Sequence, residues 1–454
     1  MIANTNTRTP SFDAPEITAE LDRQLINLEG GSVRHLVITV KAPALRPTGE
    51  PRQPLNLGLV IDASGSMSGR PIEAAKAATV ALLEKLATTD HLSLVSFASD
   101  VILHAEAVRL DGAGRAEVAD AVRPLVTRGS TNLFAGWVGG CEAVAKRQAA
   151  AEVLERNHVI VLSDGHANQG EVDPQRLAHH AGELRKRGIV TSTVGIGDGY
   201  SPVQLQAIAE AGGGRMHDAE LSEEIAEIMF AELTDALSTT IENLELALRL
   251  PPGVEAELYG TAPVNRDAEG CEILAGSMIA GGLRRLVVRL KFPAGTSGDT
   301  LPLAVSARWK APGDDACRSL DVGTVEARFD TPTACVAQPR CRVLAKIVAE
   351  QWQAFIYHRS MVLNQDGQYA AARAFAEHEE RFFDRYCEDL PEMRREVHSV
   401  HAFAQSVDAS YDRLSSKELL FRSYKASRGE ADRRSRSRKS LEEIIRDEIA
   451  KRGR

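Results

Sequence analysis

Several common classes of protein are excluded by what this chain lacks. No stretch approaches about 18 consecutive apolar residues, so no membrane-spanning helix is expected. The opening MIANTNTRTPSFDAPE carries no basic-then-apolar signal pattern, which points to a cytoplasmic protein. The six cysteines, Cys141, Cys271, Cys317, Cys335, Cys341 and Cys387, are scattered without a C-x-x-C pair. They read as reduced thiols in or near cores, with Cys335 and Cys341 as the two that would pair under oxidation. Positive charge is not in excess: the net charge of −9 argues against general nucleic-acid binding and names no partner. Nucleotide and hydrolase signatures are missing too. There is no G-x-x-x-x-G-K-[ST], and Ser64 and Ser66 lack the flanking glycines of G-x-S-x-G. Gly195-Ile196-Gly197-Asp198-Gly199 hints at a dinucleotide loop, but Tyr200 breaks G-x-G-x-x-G, and a turn is expected there.

What is present describes an ordinary globular protein. The 454 residues, 26% charged and 43% hydrophobic, suggest about two to four domains. The organising stretch is Leu55 to Gly69, LNLGLVIDASGSMSG. Leu57 to Ile61 is an unbroken apolar run of strand length, followed by a polar, Gly-bearing turn and then, from Pro71, by helix-forming residues. Ligands of open α/β sheets bind where such a strand runs into its helix. Asp62, Ser64 and Ser66 therefore stand at a candidate site. One carboxylate and two hydroxyls are hard oxygen donors, suited to Mg²⁺, Mn²⁺ or Ca²⁺ and not to zinc or copper. Alone, D-x-S-x-S is also an ordinary turn or N-cap pattern. Two further segments add to it: the loop Gly129-Ser130-Thr131-Asn132-Leu133 opens a helix and supplies Thr131, and the apolar run from His158 ends in Ser163-Asp164-Gly165 and supplies Asp164.

With those residues in view, about residues 53 to 237 resemble the von Willebrand factor type A (VWA) family. Its metal-ion-dependent adhesion site (MIDAS), D-x-S-x-S followed by a Thr and then an Asp, is filled at all five positions by Asp62, Ser64, Ser66, Thr131 and Asp164. The resemblance implies that these residues hold a divalent metal directly or through water, leaving one position for a ligand carboxylate. Mg²⁺ is the expected ion, with Mn²⁺ or Ca²⁺ as alternatives.

Around this unit the pattern changes twice. Alternation of strand and helix from residue 51 to 238 predicts an α/β fold with a doubly wound, mostly parallel sheet. Two extended segments precede it, Ile17 to Glu29 and Val33 to Ala42, with Gly30-Gly31 as a hairpin signal between them. From Thr240, Leu244, Leu246, Leu248 and Leu250 alternate, and further short strands follow to Phe329. The expected organisation is a disordered stretch at 1–14, a discontinuous all-β sandwich of 15–50 plus 240–335, the inserted VWA domain at 51–238, a helical domain at 336–425, a basic linker at 426–439 and an amphipathic helix at 440–454. Helices are predicted over Cys341–Asn364, Gln368–Leu390 and Pro391–Leu414, then a short piece to Tyr424. Ser440 and Glu443 form a capping box for the last helix, whose apolar face is Leu441, Ile444, Ile445 and Ile449. The arrangement is similar to VWA proteins of the inter-alpha-trypsin-inhibitor heavy-chain type and of the bacterial calcium-activated-chloride-channel-like type.

The implied function is a non-enzymatic, metal-dependent protein-binding module whose cation takes an Asp or Glu from a partner protein. Family members often work beside AAA+ ATPases, kinases or phosphatases encoded nearby. A hydrolase of phosphate esters and a scaffold with an unused metal site are the competing classes. The hydrolase lacks a nucleophile or base beyond the metal ligands, and a haloacid-dehalogenase-type phosphatase with Asp62 as nucleophile is disfavoured because the position two residues later is Ser64 and not a second acid. His166 is a candidate for the rim of the site. His179 and His180 read as surface residues, since adjacent helical residues point apart.

Overall fold

The computed structural model describes residues 14–45, 52–197, 199–219, 224–312, 314, 316–428 and 441–452. The chain begins with β1 (Glu16–Leu21), β2 (Leu25–Asn27) and β3 (Val33–Lys41). An α/β unit follows: β4 (Leu55–Asp62), α1 (Arg70–Leu83), β5 (His91–Phe97), β6 (Val101–Arg109), α2 (Gly112–Val122), α3 (Leu133–Ala150), β7 (Arg156–Ser163), α4 (Pro174–Lys186), β8 (Ile189–Ile196), α5 (Pro202–Ala211), β9 (Gly213–Ala219) and α6 (Glu224–Ser238). Its six strands are ordered β6-β5-β4-β7-β8-β9, all parallel except β6. The doubly wound, mostly parallel sheet expected from the sequence is borne out.

Every residue of β4 is buried, as a strand covered on both faces requires. Leu57, Leu59 and Ile61 pack on one side with α1, α2 and α6, while Val60 joins α3, α4 and α5 on the other. Glycines let α3 lie directly on the central strands. A Cβ at Gly136 would fall 2.2 Å from the Phe97 ring, and one at Gly140 would fall 2.2 Å from Val60 Cγ2. Gly140→Ala is expected to destabilise the fold by about 1–3 kcal/mol through this overlap, in spite of the roughly 1 kcal/mol that alanine gains in a helix. A urea midpoint equal to or above wild type would show that the helix stands off the sheet.

Two further sheets enclose a second core. They use β1–β3 together with β10 (Thr239–Arg249), β11 (Glu255–Tyr259), β12 (Val264–Asp267), β13 (Gly270–Ile279), β14 (Leu283–Lys291), β15 (Thr300–Lys310) and β16 (Cys317–Asp330). One sheet runs β1-β3-β14-β11 and the other β12-β13-β10-β15-β16-β2. Leu36, Ile38 and Val40 of the first meet Leu246, Leu248, Ile273, Val305 and Trp309 of the second.

The early strands correct the sequence reading in two ways. Ile17 to Glu29 is not one extended segment, and Gly30-Gly31 does not close a hairpin. The chain bends at Asp22, whose buried carboxylate accepts the backbone N–H of His35 (2.9 Å) and lies 3.1 Å from its Nδ1. That bend sends β1 and β2 to different sheets: β1 pairs antiparallel with β3, and β2 pairs parallel with β16. Gly30 and Gly31, at φ 86° and 73°, turn the chain from one sheet to the other.

The remainder is helical: α7 (Pro332–Ala337), α8 (Arg342–Gln365), α9 (Tyr369–Cys387), α10 (Arg394–Ser406), α11 (Arg413–Ser427) and α12 (Leu441–Arg452). The helix predicted over Pro391–Leu414 is broken after Ser406, because the Asn364 side-chain amide donates to the carbonyls of Val407 and Ala409. The expected short piece to Tyr424 is the full helix α11. It folds back on the α/β unit, where Phe421 and Tyr424 join the core of Tyr200 and Leu205 and the Tyr424 hydroxyl accepts the Met216 N–H at 3.1 Å. The predicted linker therefore does not start at 426: Ala426 and Ser427 are helical, and Arg428 is buried with Nη1 on the Gly214 carbonyl. Ile444 and Ile445 of α12 are buried in the helical core with Phe403, whereas Ile449 is exposed. Of the disorder predicted at 1–14, all but residue 14 lies outside the described residues, as do the linker from 429 and the cap at Ser440. Among the described residues no helix is long and apolar enough to cross a membrane, and all six thiols are unpaired.

Candidate functional site

The α/β sheet offers its carboxyl edge where β4 stands between β5 and β7, the point at which the strand order reverses. Three loops meet there and are tied by backbone bonds. The Arg128 N–H donates to Ala63 O (2.6 Å) and the Gly65 N–H to Gly129 O (3.2 Å), joining the loop after β4 to the loop before α3. The Asn168 N–H donates to Thr131 O (3.1 Å), and the Thr131 N–H to Asn168 Oδ1 (3.2 Å), joining that loop to the one after β7.

On this frame the five sequence-predicted residues come together. The Asp62 carboxylate accepts the Ser64 N–H at 2.8 Å and the Ser163 hydroxyl at 2.6 Å. Ser64 Oγ lies 3.0 Å from Ser66 Oγ, and Ser66 Oγ donates to Asp164 Oδ1 at 2.6 Å. Thr131, itself buried, faces the same spot: a Cβ at Gly165 would come 3.2 Å from Thr131 Oγ1 and 3.4 Å from Ser66 Oγ. The cluster is thus two carboxylates, Asp62 held by the Ser64 N–H and Asp164 by the Ser66 hydroxyl, with the Ser64 and Ser66 hydroxyls bonded to each other and the Thr131 hydroxyl beside them. His166 is exposed on the loop after β7, and His179 and His180 are exposed on α4.

Three contributors escaped the sequence reading. Ser163 orients Asp62 from the neighbouring strand, Asn168 clasps the backbone of Thr131, and Gly199 covers Asp164, since a Cβ there would fall 2.2 Å from the Asp164 carbonyl oxygen. Only Ser163 had a signal, its place at the end of an apolar run that pairs in parallel with β4.

Burial governs the electrostatics. It pushes the Asp62 carboxyl above its usual range against the hydrogen bonds from Ser163 and Ser64. Burial also pushes Asp164 up to about 6, with the Asp62 charge adding to the shift and the Ser66 bond opposing it. Two acids placed out of water beside each other are disfavoured as anions unless a positive charge accompanies them. All five side chains present oxygen, the donor type of a hard divalent cation, so the residues fit such an ion. Among the described residues no group of three or more His, Cys, Asp or Glu is arranged to hold a metal.

Comparison with known proteins agrees with this architecture. Residues 56–245 match the model of the von Willebrand factor type A domain. The chain is 31% identical over 245 residues to the uncharacterized Synechocystis protein sll0103, an alignment covering 52% of this chain and 54% of that one. It is 35% identical over 134 residues to inter-alpha-trypsin inhibitor heavy chain H3 of Pongo abelii, covering 29% of this chain and 15% of that one. The chain therefore spans about half the length of the first of these relatives and a small part of the second. A solved structure, a von Willebrand factor type A protein from Catenulispora acidiphila, superimposes with a TM-score of 0.66 at 16% identity, over 92% of this chain and 98% of that one. That likeness is one of fold.

Proposed function

We propose, for a chain whose residues 56–245 carry a von Willebrand factor type A domain, that Asp62, Ser64, Ser66, Thr131 and Asp164 hold a divalent cation through which an acidic side chain of a partner protein is captured. VWA domains are generally metal-dependent protein-interaction modules. The observation that carries the proposal here is the run from Asp62 through Ser64 and Ser66 to Asp164, hydrogen-bonded end to end at the carboxyl edge of β4 and β7. Mg²⁺ is the ion this reading favours, because it binds through few carboxylates and keeps exchangeable waters. Two carboxylates at most balance its charge and the hydroxyls add none, so the bound ion retains the capacity to exchange a water for an anionic oxygen. In this reading the module is non-enzymatic: the carboxylates that could act as bases are committed to the cation.

The test is affinity for an isolated partner with and without EDTA, with each exposed acid of the partner changed in turn to its amide. Chelation is expected to weaken binding at least about tenfold, and one acid-to-amide change to do the same. Binding that survives both would leave the metal a structural role.

A further inference from the structure

A cavity of about 990 Å³ lies far from the metal candidate, between the β1-β3-β14-β11 sheet and helices α8 and α9. Its size is within the range of small-molecule sites. Six arginines line it, Arg23, Arg34 and Arg340 among them, together with the rings of Trp352, Phe382 and Tyr386. The Arg340 guanidinium lies 4.3 Å from the centre of the Tyr386 ring, and its side chain is only 6% exposed.

The arginines outnumber the acids available to them. Asp22 is the buried acid at this end, but other donors occupy it: the backbone N–H groups of Arg23 and His35 on Oδ1, and the Tyr386 hydroxyl at 3.0 Å and His35 Nδ1 at 3.1 Å on Oδ2. Arg34 spends its donors on the backbone carbonyls of Leu25 and Val33. Arg340 pairs with Asp389, a carboxylate that is 62% exposed at the mouth. Among the described residues the buried Nε groups of Arg23 and Arg340 have no hydrogen-bond partner. Burial, and next the charge of Arg340, push the Arg23 guanidinium below its usual range. Buried N–H donors of charged groups are costly to leave unmade, and a planar guanidinium matches a carboxylate or phosphate.

From the guanidinium cluster and its aromatic wall we infer that this cavity binds a small organic anion, with its phosphate or carboxylate on Arg23 and Arg340 and its flat body against the exposed ring of Phe382. Asp389 then competes with the ligand for Arg340. This assignment is independent of the metal site, and because the ligand touches both the sheet and the helices, binding ties the two together.

The experiment is calorimetric titration of the full chain, in EDTA so that no metal contributes, with AMP, benzoate and inorganic phosphate at millimolar concentration. One ring-bearing anion is expected to bind at one site more tightly than inorganic phosphate, AMP reporting a phosphate preference and benzoate a carboxylate preference. Arg23→Gln should weaken that binding at least about tenfold. Asp389→Asn should strengthen it several-fold by removing the competitor, an effect that a purely structural arginine cluster does not produce. Circular dichroism checks that each variant is folded, and if Arg23→Gln is not, the exposed Asp389→Asn change decides. No binding of any of the three anions to the wild type, or unaltered affinity in the folded variants, overturns the assignment.

Discussion

Replacing Asp62 by alanine is expected to abolish Mg²⁺ binding in isothermal titration, with affinity falling by more than about a hundredfold from a single site in the wild type. The scale follows from metal chemistry: changing a residue that merely supports a ligand costs about 10–100-fold, and a charged ligand should cost more. Ser163→Ala supplies the comparison, since its hydroxyl orients the Asp62 carboxylate at 2.6 Å, and a loss within that lower range is expected. Neither change should unfold the protein. Asp62→Ala leaves the Ser163 hydroxyl and the Ser64 N–H without their acceptor. It also removes a buried carboxylate that the metal-free fold holds against its own charge, so the two effects oppose each other. Unchanged Mg²⁺ affinity in a folded Asp62→Ala protein would dismiss the assignment of the five residues.

The second large effect is on folding of fragments. Residues 240–335 alone are expected to show no cooperative unfolding transition, whereas residues 53–237 alone should show one. In the whole protein β14 pairs with β3 along Val33–Lys41 against Leu283–Lys291, and β16 pairs with β2. The isolated 240–335 piece loses those partners together with Leu36, Ile38 and Val40, leaving the core open on one side and β14 with an unpaired edge. The 53–237 piece keeps all six strands and the helices on both faces of its sheet, and loses chiefly the cover from Phe421 and Tyr424. Well-dispersed amide signals from 240–335 would contradict this division of the chain, which we propose as its domain organisation.

The α/β unit was legible because its signals are local. A buried strand such as β4 is one apolar run, a helix start such as Asn132 is one cap accepting the Ala135 N–H, and Asp62, Ser64 and Ser66 share one tight turn. Thr131 and Asp164 became legible only through the order in which a known motif places them. What stayed hidden depends on partners distant in the chain. Nothing near Asp22 says that its carboxylate will meet His35 and split one extended segment between two sheets. Asn364 ends α10 from another helix. The apolar positions of α11 look like any helix face until Phe421 and Tyr424 are seen against Tyr200. Asn168 clasps the Thr131 backbone with its side-chain oxygen and its own N–H, and Gly199 lies against the Asp164 carbonyl; both act on main-chain groups of distant loops, to which side-chain patterns are blind.

The ladder between β3 and β14 joins the chain just before the α/β unit to the chain well after it. Tension applied across the sheets can therefore pass from one strand to the other through nine cross-strand residue pairs, bypassing the 241 residues between them. Val33 stands opposite Lys291 and Lys41 opposite Leu283, so a pull on the chain outside this ladder must open all nine pairs in turn before it reaches the α/β unit. The metal candidate sits on the slack branch of this mechanical circuit.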